Sequence, residues 1–177
     1  MCFQICDLGR FRKLIVPANC LEVELRRSRI RRRLYLSSVN PTAITDWSPL
    51  IVIANRLSGS SDAESVLSAF RRFLNPAQVV DLAECSPDVA LKWCGLLRSA
   101  GAAPIVVVAG GDGTIGWVLT EMYNMKLEPL APVAVIPLGT GNDLSRVLGW
   151  GSEACAQVDA EAILRQVLKA DTVDLDR

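Results

Sequence analysis

Four short apolar runs set the rhythm of this chain, and each empties into a polar or glycine-rich turn. They are Leu50-Ile51-Val52-Ile53-Ala54, the stretch from Gln78 to Leu82, residues 104–109 and the stretch from Pro132 to Pro137. Consecutive apolar residues, in place of strict alternation, predict strands covered on both faces, as in a parallel sheet. The intervals between them carry a helical period. Val66, Leu67, Phe70 and Phe73 recur at helical spacing across Asp62 to Phe73, and Asn75-Pro76 ends that helix. Ser86-Pro87 opens a second helix running to about Ser99, with Ser86 as N-cap and Pro87 at the first helical position. Further helices are predicted near 114–124, 142–148 and 156–169, and Thr172-Val173-Asp174-Leu175 reads as a last strand. This alternation predicts an α/β fold of three layers, a mainly parallel sheet with helices on both faces.

Before Trp47 the pattern changes. Residues 1–45 contain Pro17, a cluster of arginines and Ser37-Ser38-Val39-Asn40-Pro41, and read as a linker arm ahead of a folded domain over 46–177. The 177 residues are 50% apolar, enough for a sizeable core without disulfide staples. The net charge of zero conceals an asymmetry. Residues 1–33 hold nine Lys/Arg against three Asp/Glu, and residues 34–177 hold ten against sixteen, so +6 opposes −6. Six of the arginines lie between Arg26 and Arg33. Such a run reads first as a solvated linker and next as a contact for an anionic membrane surface. No aromatic residue is interleaved for base stacking, so a nucleic-acid partner is not expected. Cys2, Cys6, Cys20, Cys85, Cys94 and Cys155 form no C-x-x-C pair, and the chain has no histidine. Neither a zinc site nor disulfides are therefore expected, and the scattered thiols suit a reducing compartment. No apolar run has the length to span a bilayer and the first residues lack a signal-peptide core, which sets the expectation of a soluble chain.

The chemistry concentrates where two of the apolar runs end. Ile105 to Ala109 leads into Gly110-Gly111-Asp112-Gly113-Thr114, three glycines around one carboxylate. Glycines after a parallel strand let backbone N–H groups approach an anion, and the helix that follows points its positive end at the same place. Asp112 is not required by a turn, and a carboxylate beside phosphates is repelled unless it holds a cation or takes a proton. Gly111, Gly113 and Gly116 also satisfy G-x-G-x-x-G, which leaves a dinucleotide fold or a purely structural turn as alternatives. A dinucleotide fold, however, wants an acid at the tip of the next strand, and that strand ends in a second glycine turn, Leu138-Gly139-Thr140-Gly141-Asn142-Asp143.

Gly110 to Thr114, Gly116-Trp117-Val118-Leu119, the run from Pro137 to Ser145 and Leu148-Gly149-Trp150-Gly151 resemble the catalytic domain of eukaryotic diacylglycerol kinases. The resemblance covers roughly residues 46–177, and more loosely Cys6 to Pro17, which is similar to the end of a cysteine-rich lipid-binding module and the start of the linker in the epsilon-type enzyme. It implies an ATP-dependent lipid kinase that phosphorylates 1,2-diacylglycerol to phosphatidate, cytoplasmic and peripheral at the cytosolic face of membranes. It also implies Asn55, Ser58 and Gly59 near the nucleotide, Gly110, Gly111, Gly113 and Thr114 around the phosphates, and Thr140, Gly141 and Asn142 closing the far side. With no histidine, a carboxylate must accept the hydroxyl proton, and Asp112 is expected as that base or as the organiser of Mg²⁺, with both roles open. For Asn55 and Ser58 an ordinary turn is the competing reading, and for Asp143 a favourable charge at a helix N-terminus. The family carries a second, mostly β domain after this one, so a chain ending in Asp174-Leu175-Asp176-Arg177 is expected to be truncated, with a non-catalytic nucleotide-binding or regulatory isoform as the alternative.

Overall fold

The computed structural model describes residues 11–27, 32–39, 43–57, 62–126, 129–151 and 159–174. Two strands, β1 (Leu21–Arg27) and β2 (Arg32–Val39), pair antiparallel as a separate ribbon. The remaining elements follow as β3 (Leu50–Ala54), α1 (Asp62–Arg71), β4 (Val79–Asp81), α2 (Pro87–Ser99), β5 (Ile105–Gly110), α3 (Asp112–Asn124), β6 (Val133–Pro137), α4 (Asp143–Val147) and α5 (Ala160–Lys169). The main sheet has the order β4-β3-β5-β6 and every pairing in it is parallel.

The uninterrupted apolar strands are explained by a core on each side of this sheet. Ile51, Ile53, Val106, Val108 and Val135 pack with Leu91, Cys94 and Leu97 of α2 and Ile115, Val118 and Met122 of α3. Their neighbours Leu50, Val52, Val107, Ala109, Ala134 and Ile136 pack with Val66, Leu67 and Phe70 of α1 and Leu164 and Val167 of α5. Alternate residues of one strand thus serve opposite layers, and the expected α/β arrangement with helices on both faces is what the chain adopts. Burial pushes the Cys94 thiol up to about 11, against a weaker downward pull from Arg98, so Cys94 packs as a small apolar group.

Local chemistry moves several boundaries. Ser86 stands at the N-cap of α2, but its hydroxyl donates to the Asp88 carboxylate and caps no backbone N–H. That bond, with a lesser contribution from Lys92, holds the Asp88 carboxyl below its ordinary range. The helix expected near 114–124 begins at Asp112, and the one expected near 156–169 is described from Ala160, since residues 152–158 lie outside the described residues. No strand forms at Thr172 to Asp174, which are exposed and irregular, while Leu175 lies outside the described residues. A strand needs a partner's backbone, and among the described residues these three pair with none.

The largest departure lies before Trp47. The sequence places residues 11–20 in a linker arm; the structure buries Phe11, Leu14, Val16 and Cys20 in the two cores. Gln78, expected in a strand, instead closes the short turn Pro76–Gln78 and has no exposed surface. Its amide nitrogen donates to Leu14 O at 2.9 Å and Leu50 O at 2.7 Å, and its Oε1 accepts from Val16 N at 2.8 Å and Asn75 N at 3.2 Å. Both donors and both acceptor sites of the amide are used, which ties the N-terminal segment to β3. Asn75 Nδ2 to Val16 O at 3.1 Å and Trp47 Nε1 to Ile15 O at 3.0 Å continue the seam. After Cys20 the chain enters β1 directly, so the arm contains a folded ribbon as well as this strap.

Replacing Gln78 by Leu fills the same space but strands three buried backbone groups, each costing about 1–3 kcal/mol. Gln78→Leu is expected to lower unfolding stability by roughly 3 kcal/mol in urea titration. A loss under about 0.5 kcal/mol, the scale of an ordinary surface change, would show that the strap is dispensable.

Candidate active site

Strand order places the site. From β3 the chain continues to β4 on one side, and from β5 to β6 on the other, so the winding reverses between β3 and β5. Open parallel sheets bind ligands beyond the carboxyl ends of their strands at such a reversal. Ala54 is in register with Ala109, and Gly110 with Pro137. Asn55, the Gly110-Gly111 turn and the Leu138-Gly139 turn are therefore brought to one edge of the sheet.

The two glycine turns touch through their backbones. A Cβ built on Gly139 would lie 2.7 Å from Gly111 Cα, and one on Gly111 would lie 3.1 Å from Gly139 Cα. Leu138 N donates to Gly110 O at 3.1 Å, carrying the β5–β6 pairing one step past the strands. Gly110 is needed for a different neighbour: its Cβ would meet Thr114 Cβ at 2.6 Å, and Thr114 is buried against it. Nothing lies within 4 Å of the Cβ positions of Gly113 and Gly116.

Asp112 bridges the turns. As the first residue of α3 it reaches across to the start of α4, where its Oδ2 accepts from Asp143 N at 3.1 Å and its Oδ1 from Leu144 N at 3.2 Å. A Cβ on Gly141 would come within 2.9 Å of Asp112 Oδ2, so Gly141 gives the carboxylate its seat. The two N–H bonds orient an exposed carboxylate and use about half of its acceptor sites, so each oxygen can still take a proton or a cation.

Asn142 holds the second turn from within. It has no exposed surface and a left-handed backbone at φ 54°. Its Oδ1 accepts from Gly139 N at 2.9 Å and its Nδ2 donates to Gly139 O at 2.6 Å. Thr140 and Gly141 are exposed beside it. Asp143 is exposed at the start of α4 and bonds Arg146 Nη1 at 3.2 Å. Within α4, the buried Ser145 donates its hydroxyl to Gly151 O at 2.8 Å and accepts Trp150 N at its carbonyl, which fixes the Leu148 to Gly151 turn.

At the third loop, half-buried Asn55 accepts from Leu57 N at 3.0 Å through Oδ1, while Ser58 and Gly59 lie outside the described residues. Sequence reasoning missed the pair beside it. Asp81, buried at the end of β4, takes Arg56 Nε at 3.0 Å and Ala83 N at 2.9 Å. The visible signal was an acid closing a short apolar strand, but its partner lies 25 residues earlier. A hollow of about 310 Å³ adjoins the pair, with Arg71 and Arg72 on its wall. Leu144 and Leu148, next to the amides that Asp112 meets, line one end of an apolar groove of about 450 Å³ along β6, with Tyr123 and Leu130 also on its wall.

The catalytic-domain profile described as "Diacylglycerol kinase catalytic domain" matches residues 49–175. The chain belongs to the diacylglycerol kinase catalytic domain family. It is 37% identical to mouse diacylglycerol kinase delta over 172 residues, covering 97% of this chain and 13% of that protein. Over 139 residues it is 37% identical to human diacylglycerol kinase zeta, covering 78% of this chain and 14% of that one. Over 132 residues it is 42% identical to diacylglycerol kinase eta of Drosophila melanogaster, covering 75% of this chain and 7% of that one. The chain thus spans a seventh or less of the length of these diacylglycerol kinases, which are of several types and do not single out the epsilon type.

The contact between turns makes a paired prediction. Gly139→Ala must push the loops apart and is expected to cost about 1–3 kcal/mol, the range for overpacking. Gly116→Ala, in open space inside α3, is expected to gain roughly 0.5–1 kcal/mol from the helix preference of alanine. Urea unfolding of both variants checks the pair, and a Gly139→Ala protein as stable as the parent would show that the turns need not meet.

Proposed function

We propose that this domain is the nucleotide-binding part of an ATP-dependent lipid kinase that moves the γ-phosphoryl group of ATP to the free hydroxyl of 1,2-diacylglycerol, giving phosphatidate. The observation that carries the reading is the Asp112 carboxylate, oriented by the Asp143 and Leu144 amides at the junction of two glycine turns, in a diacylglycerol kinase catalytic domain. Phosphoryl transfer asks a protein for positioning, for compensation of charge and for an acceptor of the hydroxyl proton. The turns at Gly110 to Thr114 and Gly139 to Asn142 supply a backbone cradle at the start of α3, where N–H groups favour phosphate. Asp112 supplies the acceptor. The apolar groove that begins at Leu144 supports an apolar substrate, and the working place is the cytosolic face of a membrane.

Among the described residues no group of three or more His, Cys, Asp or Glu gathers. The exposed Asp112 carboxylate keeps acceptor sites beyond its two amide bonds, which suits Mg²⁺, an ion that takes one or two carboxylates together with water and substrate phosphates. Asp112 is the residue that would hold it, and when bound the ion neutralises charge on the transferring phosphates. The chain's own residues orient that carboxylate and keep the turns closed around it.

Asp112→Asn is expected to lower phosphatidate formation from ATP and micellar diacylglycerol by roughly 10²–10⁴-fold, the range for a lost general base. If Asp112 is the base, ATP affinity is unchanged by the substitution. If it organises Mg²⁺, affinity falls in the presence of the ion and is unchanged without it. Near-normal turnover in the variant would overturn the assignment, and ATP binding without any turnover by the parent chain would favour the non-catalytic isoform.

A further inference from the structure

Phosphoryl transfer gives the buried acid Asp81 no task. Its side chain is 1% exposed at the end of β4, the edge strand beside β3, and Asp81 is in register with Ala54, the last residue of β3. Both carboxylate oxygens reach across to that neighbour. Oδ2 takes Arg56 Nε at 3.0 Å, while Oδ1 accepts Ala83 N at 2.9 Å and Arg56 N at 3.4 Å. Arg56 thus meets Asp81 through backbone and side chain alike, and Leu82 N adds a bond to Ala54 O at 2.8 Å. The loop that leaves β3 and the turn that leaves β4 are locked together at the carboxyl edge of the sheet.

Stability alone does not call for an ion pair here. Taking a carboxylate out of water is so unfavourable that apolar side chains of similar volume hold a fold equally well or better. What the pair adds is direction. The Arg56 side chain is 44% exposed, so on a free loop it would have many rotamers, and Asp81 selects one. Because β3 lies between β4 and β5, a side chain committed to Asp81 is drawn away from the glycine turns that follow β5 and β6. Its neighbour Asn55 stays on the loop at the winding reversal, where its Oδ1 closes a turn on Leu57 N at 3.0 Å.

We infer that Asp81 and Arg56 are positioning residues for the nucleotide. The pair fixes the loop after β3 so that Asn55 is presented to ATP in one orientation, and Asp81 acts without touching the ligand. This rests on the reading of the domain as ATP-binding and adds the device that sets affinity at its third loop.

The test is ATP affinity of the whole chain with Mg²⁺, by isothermal titration calorimetry. Asp81→Asn keeps the side-chain volume and an oxygen for Ala83 N, leaves no uncompensated buried charge, and removes the attraction that holds Arg56. It is expected to weaken ATP binding by roughly 10–100-fold, the range for groups that orient a binding residue from behind. Arg56→Ala is expected to weaken binding likewise, with the double variant no worse than either, because both changes break one link. Arg56→Lys can still supply a single N–H to the carboxylate and is expected to retain most of the affinity. Gln78→Leu, altered at the opposite end of β3, controls for a merely structural loss and is expected to bind ATP as the parent does. A parent chain that binds no ATP would overturn the nucleotide reading and this inference together. With a parent that binds, an Asp81→Asn variant of equal affinity, additive losses in the double variant, an Arg56→Lys variant as weak as Arg56→Ala, or the same loss in Gln78→Leu would overturn this inference alone.

Discussion

Contact between Gly111 and Gly139 is the constraint on which the site depends. Parallel pairing of β5 and β6 holds their ends one strand spacing apart, and the turns that leave those ends close the remaining distance because neither residue carries a Cβ. Once the turns meet, α3 and α4 start side by side, and the first residue of one helix can place its carboxylate on the first amides of the other. Asp112 is thereby oriented by backbone, which has far less freedom than a side-chain partner.

Much of this was legible because the relevant signals are local. Unbroken apolar runs identify the strands, and a parallel sheet gathers the loops after its strands at one edge whatever their separation in sequence. Other features were hidden for definite reasons. Leu21, Val23 and Leu25 alternate with glutamates, and Leu34 and Leu36 alternate across Tyr35, which is a strand signal, but the arginines between them drew the whole segment into the appearance of a linker. Leu14 and Val16 are two apolar residues without a period, and only the Gln78 side chain, more than 60 residues away, shows why they are buried. Pairings of that range, like Arg56 with Asp81, leave no mark in local pattern.

The strap changes what the N-terminal residues mean energetically. Ordering about ten residues of irregular chain costs roughly 1–2 kcal/mol of backbone entropy for each. Phe11, Leu14, Val16 and Cys20 offset that by filling both cores, and the Gln78 amide meets backbone groups that would otherwise be buried without partners. Because Cys20 is buried and Leu21 begins β1, the base of the ribbon is fixed to the same sheet that carries the glycine turns.

Side chains around the turns divide by task in a way that motif matching does not reveal. Asn142 spends its amide on Gly139, Thr114 lies against Gly110, and Ser145 holds the turn at Gly151. All three belong to the runs that carry the family resemblance, and all three are buried. Their identities are explained by backbone geometry: a left-handed residue that reaches back, a β-branched residue that fits a missing Cβ, a hydroxyl that meets a carbonyl. An anion cradled by backbone N–H groups asks nothing more of side chains than that they keep the backbone in place. Exposed carboxylates where the turns meet are Asp112 and Asp143, and only the former is held by both helices. A glycine motif of this kind is thus mostly a specification of shape, built around the single acid that its backbone amides orient.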